Sequence, residues 1–216
     1  MSWKKLKLNG FTNYPFIYEF IKWTGALPML LFLRLRVKFV NKKAYKSIKG
    51  GFIVSSNHRP LIDPFILCCA FPSKRLYFIA QEGLFSSPLK AWMFTQFNCI
   101  KIDRTNADIE TFRGVGRVLK KGHTVCIFPE GRIESEKGGG FKGGCAMMSL
   151  TNNVPILPIH LEMRRNFLCR CKATVGEPIY PDDVVGASRS LMSIDKLNDY
   201  IFEKEQELKN NGEKGR

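Results

Sequence analysis

From residue 36 onward, short apolar runs rich in β-branched and aromatic residues alternate with segments of helical pattern. This alternation constrains the fold more than any other feature of the chain, because strands that alternate with helices are typical of α/β domains. We predict an α/β fold with a mixed, largely parallel central sheet flanked by helices. Strands are predicted at 37–40, 52–55, 76–80, 98–102, 124–128, 156–161 and 172–175, and helices at 62–70, 88–97, 106–120, 145–151 and 194–208.

The chain is strongly basic, and the charge is concentrated near its beginning. Residues 1–50 hold eleven Lys and Arg side chains and a single acid, Glu19, so they carry ten of the fifteen net positive charges. A basic segment of this kind predicts an anionic partner, either nucleic acid or a membrane surface. Composition does not choose between the two.

Residues 11–33 combine aromatic and aliphatic side chains with flanking cations, as elements that lie in a lipid interface do. Asn13 is a candidate cap for a helix that begins near Pro15, Gly25 and Pro28 interrupt that helix, and a second short helix is predicted at 29–33. We therefore predict an N-terminal two-helix membrane-binding hairpin at 1–35, an α/β domain at 36–209 and a polar tail at 210–216. Two helices packed on the core with a solvated basic rim are the alternative that periodicity leaves open.

The cysteines and the lengths of the apolar runs indicate the cellular compartment in which the protein works. The seven cysteines are odd in number and most lie in apolar runs, which favours a reducing compartment over a disulfide framework. No Cys or His spacing is typical of a zinc site. The longest uncharged apolar stretch near the start, 23–33, is shorter than the about 20 residues that a spanning helix needs. We expect a protein that associates with the cytoplasmic face of a membrane without crossing it.

The first motif with chemical content is Asn-His-x4-Asp at 57–63, where the chain leaves a predicted strand and enters a helix. With His58 in the turn before the helix and Asp63 in its first turn, the carboxylate can fold back onto the imidazole. A carboxylate in that position orients the ring and stabilises the imidazolium, which makes a general base. No serine or cysteine is required if the substrate supplies the nucleophile. Taken alone, this spacing is also that of a capping histidine beside a helix-start aspartate.

Further candidate residues follow three other predicted elements. Lys101 and Arg104 lie at the end of the 98–102 strand, where a guanidinium can clamp a phosphate. Glu130, Gly131 and Arg132 lie in a rigid turn after the 124–128 strand, and Lys142 precedes a glycine-bearing helix start suited to an anionic group.

Four blocks occur in order along the chain: Asn-His-x4-Asp at 57–63, an apolar block ending in Arg at 98–104, Phe-Pro-Glu-Gly at 128–131 and a Val-Pro-Ile-type block at 154–158. Over about 36–176 the chain thereby resembles the glycerolipid acyltransferase family, whose bacterial members include 1-acyl-sn-glycerol-3-phosphate acyltransferase. The resemblance implies that His58 deprotonates the sn-2 hydroxyl of 1-acylglycerol 3-phosphate, which attacks the thioester of acyl-CoA or acyl carrier protein and gives phosphatidic acid. It implies no cofactor, metal or covalent acyl-enzyme. In this scheme Asp63 orients His58, and the substrate-binding residues are Asn57, Lys101, Arg104, Glu130, Gly131, Arg132 and Lys142.

One departure from the family pattern bears on the acceptor. The third block commonly continues Gly-Thr-Arg-Ser, whereas this chain has Gly-Arg-Ile-Glu-Ser at 131–135. The variant resembles members that use other lysolipids, so lysophosphatidylethanolamine and lyso-ornithine lipid are alternative acceptors. From a different class, a non-catalytic basic protein that binds lipid or nucleic acid is the competing hypothesis. We expect no nucleic-acid partner, because no recognisable binding module is present, and the oligomeric state stays open.

Overall fold

The computed structural model describes residues 6–26, 28, 34–57, 62–102, 109–129, 143–162 and 171–213. In these ranges, the strands are β1 (Leu6–Leu8), β2 (Phe11–Asn13), β3 (Arg36–Phe39), β4 (Phe52–Ser56), β5 (Leu76–Gln81), β6 (Cys99–Ile102), β7 (Thr124–Ile127), β8 (Ile156–Glu162) and β9 (Lys172–Val175). The α-helices are α1 (Pro15–Ile21), α2 (Lys42–Ser47), α3 (Asp63–Ala70), α4 (Pro88–Gln96), α5 (Ile109–Lys120), α6 (Gly144–Asn152), α7 (Pro181–Val185) and α8 (Leu191–Glu213).

Seven of these strands form one mixed sheet in the order β3, β9, β8, β4, β7, β5, β6. The five strands from β8 to β6 are parallel to one another, whereas β9 runs antiparallel to β8 and β3 runs parallel to β9. The predicted fold class, a mostly parallel sheet flanked by helices, is therefore confirmed. β4 is buried along its whole length, because helices cover both faces of the sheet and the strand has no side that meets water.

Two cores lie on the two faces of the sheet. On the face that we call the front, α1, α2, α3 and α4 pack against residues such as Val54, Phe78 and Leu157. On the back face, α5, α6, α7 and α8 pack against residues such as Ile53, Tyr77 and Ile156. Successive strand residues point to opposite faces, so β4, β5, β6, β7 and β8 each contribute to both cores.

Local signals set several element boundaries. The Asn41 side chain accepts a hydrogen bond from Ala44 N (3.0 Å) at the start of α2, and Ser87 accepts one from Lys90 N (3.4 Å) before Pro88 in α4. Such caps satisfy backbone N–H groups that the first turn leaves free. At the other end, α6 stops at Asn153, whose φ of 48° lies in the left-handed region.

The seven predicted strands and five predicted helices are present, with some boundaries shifted. The largest shift is in α8, which covers Leu191–Glu213 instead of 194–208. Asn98, predicted as the first residue of a strand, has a φ of 61° and forms the turn before β6. Asparagine tolerates this backbone, and its side chain donates to Leu76 O (2.9 Å), which stabilises the turn. The prediction missed α2, α7 and the β1–β2 hairpin.

In the N-terminal segment, the helix predicted to begin near Pro15 is confirmed as α1, but the residues on either side of it differ from the prediction. Residues 11–13 are strand β2, and α1 continues into a π-turn at Lys22–Ala26. The prediction that Asn13 caps α1 is wrong, because Tyr14 is the N-cap and Asn13 instead bonds to Thr95 O and Asn98 Oδ1. The predicted second helix at 29–33 lies outside the described residues.

None of the helices in the described part of the chain has both the length and the apolar content needed to cross a membrane.

Candidate active site

Asn57 and Asp63 lie near a point where two adjacent strands send the chain to opposite faces of the sheet. From β4 the chain passes through α3 on the front face to β5, and from β7 it passes through α6 on the back face to β8. β4 and β7 are paired, with Ser55 opposite Ile127. In α/β folds such a switch point leaves a crevice at the carboxyl ends of the strands, and ligands bind there.

Asn57 follows β4 directly. Its side-chain amide forms the two hydrogen bonds to β8 that a backbone peptide group would otherwise form. Its Nδ2 donates to Leu161 O (3.0 Å), and Leu161 N donates to its Oδ1 (2.7 Å). The last backbone pairing of these strands joins Ser56 and Ile159, so the amide extends the pairing as β4 leaves the sheet. Asn57 therefore fixes the chain at the point where β4 leaves the sheet. Direct contact between Asn57 and substrate stays a prediction.

Asp63 is the first residue of α3 and lies at the other end of the same segment. Its side chain is 1% exposed, and a carboxylate in a first turn interacts favourably with the helix dipole. Asn57 and Asp63 thus bracket the 58–61 segment at the carboxyl end of β4. His58 is in this segment, outside the described residues, and its contact with Asp63 stays a prediction.

The turn after β7 begins beside Asn57. Phe128 and Pro129 follow Ile127, which is level with Ser55 in the neighbouring strand. Glu130, Gly131 and Arg132 come next and lie outside the described residues, as do Lys142 and Arg104. Their proposed contacts with substrate stay predictions. The predicted glycine-bearing helix start is confirmed, because α6 begins at Gly144 with Gly143 as its N-cap.

Lys101 is not brought together with Asn57 and Asp63. It lies in the edge strand β6, three strands from β4, a lateral distance of about 14 Å at about 4.8 Å per strand. Its Nζ is 2.7 Å from Glu82 Oε1. A phosphate that bound to Lys101 would therefore compete with a carboxylate already in place.

A polar group that sequence analysis did not single out lies on the back face of β4, two residues before Asn57. Ser55 Oγ donates to Glu205 Oε1 (2.5 Å), which connects α8 to the centre of the sheet. Cys145, in the first turn of α6, belongs to the same group, and its pKa is raised by burial and by the Glu205 carboxylate. Nothing in the sequence marks Glu205 among the other acids of a polar helix, so only the fold identifies it.

Neither His123 nor the five cysteines whose pKa is raised by burial has the properties of an activated catalytic group; these cysteines are Cys68, Cys69, Cys99, Cys126 and Cys145. Burial raises the pKa of Cys68 to about 11 and that of Cys99 to about 12, whereas a nucleophilic thiol requires a lowered pKa. His123 precedes β7 at the amino edge of the sheet, away from the crevice. His160, in contrast, is the β8 residue between Ile159 and Leu161, next to the strand position that bonds Asn57. Within the described ranges, no three His, Cys, Asp or Glu side chains form a group that could hold a metal ion.

Comparison with known proteins identifies the family. The family model described as Acyltransferase matches residues 36–162, which include the central strands, Asn57 and Asp63. The chain is 30% identical over 161 residues to a probable 1-acyl-sn-glycerol-3-phosphate acyltransferase of Mycoplasma pneumoniae, covering 68% of this chain and 57% of that protein. It is 24% identical over 203 residues to the 1-acyl-sn-glycerol-3-phosphate acyltransferase of Bacillus subtilis, covering 89% of this chain and 98% of that protein.

A solved structure shares the fold. The crystal structure of the 1-acyl-sn-glycerophosphate (LPA) acyltransferase PlsC from Thermotoga maritima has a TM-score of 0.61 and 21% identity to this chain, covering 90% of this chain and 79% of that one. The match of the family model extends across the strands that build the crevice. The chain therefore belongs to the acyltransferase family of enzymes.

Proposed function

We propose that the protein transfers a fatty acyl group from acyl-CoA or acyl carrier protein to the sn-2 hydroxyl of 1-acylglycerol 3-phosphate, forming phosphatidic acid. The observation that carries the proposal is the position of the Asn-His-x4-Asp motif: Asn57 and Asp63 bracket it at the β4 end of the crevice, in a chain of the acyltransferase family. The names of the Mycoplasma and Bacillus relatives support the choice of acceptor.

In the proposed reaction, an imidazole nitrogen of His58 accepts the proton of the acceptor hydroxyl as its oxygen attacks the thioester carbonyl carbon. The C–S bond then breaks, and the imidazolium returns the proton to the departing thiolate, so that free thiol and acylated lipid leave. Asp63 orients the ring and stabilises the imidazolium. Asn57 acts as a positioning residue, because its bonds to Leu161 hold the start of the segment that carries His58.

The acceptor phosphate requires cationic or N–H ligands, since a buried anion must be compensated. We propose Arg104, Arg132 and Lys142 as cationic ligands, with Glu130 and Gly131 shaping the turn beside Asn57. Lys101 is the weakest member of the predicted set, because Glu82 already neutralises its ammonium group.

We further propose that the enzyme works on the cytoplasmic face of a membrane, bound at the lipid surface. Three aromatic side chains of α1 and the π-turn are strongly exposed: Phe16 (63%), Phe20 (68%) and Trp23 (56%). Their spacing of four and three residues places them on one side of the helical segment. Aromatic and basic residues together favour an interfacial position.

The test is an assay of thiol release by the purified protein with both thioester donors and a panel of acceptors. Thiol release with 1-acylglycerol 3-phosphate, and not with glycerol 3-phosphate or lysophosphatidylethanolamine, is the expected result. Release that requires lysophosphatidylethanolamine or lyso-ornithine lipid would support the second candidate function, which the Gly-Arg-Ile-Glu-Ser segment at 131–135 favours. A protein that binds lipid but releases no thiol with any acceptor would contradict both.

A further inference from the structure

We propose that α4 is a second lipid-contacting element. The protein would then lie with the helices of its front face against an anionic lipid surface. This inference rests on the proposed work at a membrane but goes beyond it. The sequence assigned lipid contact to residues 1–35 alone, whereas the fold places three further helices on the same face.

Most of the exposed side chains of α4 are apolar. Leu89 is 73% exposed, Trp92 41% and Met93 39%. Positions three and four apart share one side of a helix, so these three side chains form one outward patch, while Phe94 packs inward against the front core. Such a group of large apolar side chains marks an interaction surface more than scattered single residues do.

This patch belongs to the same surface as the aromatic residues of α1. The Tyr14 backbone N–H, one residue before α1, donates to Gln96 Oε1 at the end of α4 (2.9 Å). Met93 is one helical turn before Gln96. On α3, Phe65 is also 38% exposed. Apolar side chains therefore extend over three front-face helices.

Charge distinguishes the front helices from α7 and α8 on the back face. The four front helices, all of whose residues are described, carry only two acids: Asp63 is buried, and Glu19 is paired with Lys22 (3.6 Å). Their exposed cations are Lys42, Lys43, Lys46 and Lys90. On the back face, α7 and α8 expose six acids, namely Asp182, Asp183, Asp195, Asp199, Glu203 and Glu207, while the exposed cations Arg113, Arg117 and Lys120 lie on α5.

This difference selects lipid as the occupant of the front face. The back face also exposes large apolar side chains, including Leu191 (80%) and Phe202 (60%), but the acids of α8 surround them and would be repelled by anionic headgroups. On the front face, exposed lysines accompany the apolar residues, which is the combination that anionic membranes attract. A second copy of the basic face would repel the first.

The orientation has a consequence for the site. α3 begins at Asp63, and Phe65 is only two residues further along. The N-terminal half of α4, with Leu89 and Trp92, follows the carboxyl end of β5 through the short helix Glu82–Phe85. The crevice at the carboxyl ends of the strands would thus open at the lipid surface, where a lysolipid acceptor resides.

The experiment compares two exposed leucines, each in the first turn of a helix. Leu89→Glu on α4 and Leu191→Glu on α8 introduce the same charge at sites where an acid suits the helix dipole, so both variants should keep their fold. Binding to vesicles of phosphatidylglycerol and phosphatidylcholine is measured by co-sedimentation without substrate, with circular dichroism as the folding control. We expect Leu89→Glu to lower the partition coefficient by about tenfold or more, from the loss of one buried leucine and the added repulsion. Leu191→Glu should change it less than about twofold.

A fluorescence measurement tests the contact itself. In the Trp3→Phe, Trp23→Phe variant, Trp92 is the sole tryptophan. Vesicle binding should shift its emission to the blue, and doxyl-labelled lipids should quench it. Adding Trp92→Phe and Phe202→Trp moves the probe to α8, where no quenching is expected.

Equal effects of the two leucine variants, or an unquenched Trp92 in sedimented protein, would overturn the proposal. A blue shift that depends on protein concentration without vesicles, together with a dimer in sedimentation velocity, would assign the patch to a second copy instead. Because binding is measured without turnover, these outcomes are independent of whether the acyl transfer assay succeeds.

Discussion

Two asparagine side chains, Asn9 and Asn57, form hydrogen bonds to strand backbone groups at positions where no neighbouring strand is available. Asn9 Nδ2 donates to Cys99 O (2.8 Å) and its Oδ1 accepts from Lys101 N (2.9 Å), so it satisfies backbone groups of the edge strand β6. Asn57 does the same for Leu161 of β8. An amide carries a donor and an acceptor at the spacing of a peptide group, and buried backbone groups require such partners. At Asn57 the result is that the chain is fixed at the end of β4, one residue before His58.

His58→Ala should lower kcat for acyl transfer by at least about a hundredfold, because general-base catalysis contributes about 10² to 10⁴ in rate. The measurement is thiol release under saturating donor and acceptor, with the denaturation midpoint as a check on folding. The matched control is His160→Gln, which changes the histidine of β8 next to the Asn57 contact. If the His160 variant lost activity and His58→Ala kept it, the base would be His160.

At the scale of elements, the β1–β2 hairpin shows how a short N-terminal segment is held on the domain. Its two-residue turn is Asn9–Gly10, with φ of 53° and 80°, the backbone that Asn-Gly dipeptides favour in hairpins. At its other end, Asn13 Oδ1 accepts from Arg75 Nη2 (2.8 Å). Arg75 is 5% exposed, and its guanidinium also lies 5.6 Å from the Tyr18 and Tyr77 rings. Amide oxygens and aromatic faces thus compensate a buried cation.

Asn13→Ala should lower the free energy of unfolding by about 2 kcal/mol, because a hydrogen bond to a charged group contributes about 1.5–3 kcal/mol and the guanidinium would stay buried. Urea unfolding of the purified protein measures this difference. Thr12→Ala, one residue earlier in the same strand, should cost no more than about 1 kcal/mol. Equal costs at the two positions would show that the strand, and not the Arg75 contact, determines the effect.

For the whole molecule, the amino edge of the sheet makes stability sensitive to acid. The His123 ring stacks on Tyr77 (5.5 Å between centroids), with Arg75 also over Tyr77. Burial, then Arg75 and Lys121, lower the pKa of His123 from 6.5 to about 4. The unfolded chain therefore binds more protons than the native state between pH 4 and pH 6.5. The free energy of unfolding must fall as the pH is lowered through this window.

Between pH 7 and pH 5, His123 should account for a loss of about 2 kcal/mol in the free energy of unfolding. His123→Phe keeps a ring against Tyr77 but cannot be protonated, so its stability should depend less on pH by that amount. Urea titrations of both proteins at the two pH values make the comparison. The same pH dependence in both would mean that other groups cause the acid sensitivity.

The sequence by itself determined the fold class and most of the central elements, because the periods of strands and helices are local properties of the chain. It also supplied the Asn-His-x4-Asp motif, since the residue types of a short motif are adjacent in sequence. The Asn9–Gly10 dipeptide is a hairpin signal of the same local kind.

Only the tertiary structure decided which distant residues meet. The bond from Ser55 to Glu205 spans 150 positions, and no local pattern selects one acid of α8 over another. The placement of Lys101 three strands from β4 likewise follows from strand order, which sequence periodicity does not contain. The contrast between the basic front helices and the acidic helices α7 and α8 arises in the same way, because these helices are far apart in the chain. Net charge is a property of composition, whereas the distribution of that charge over the surface is a property of the fold.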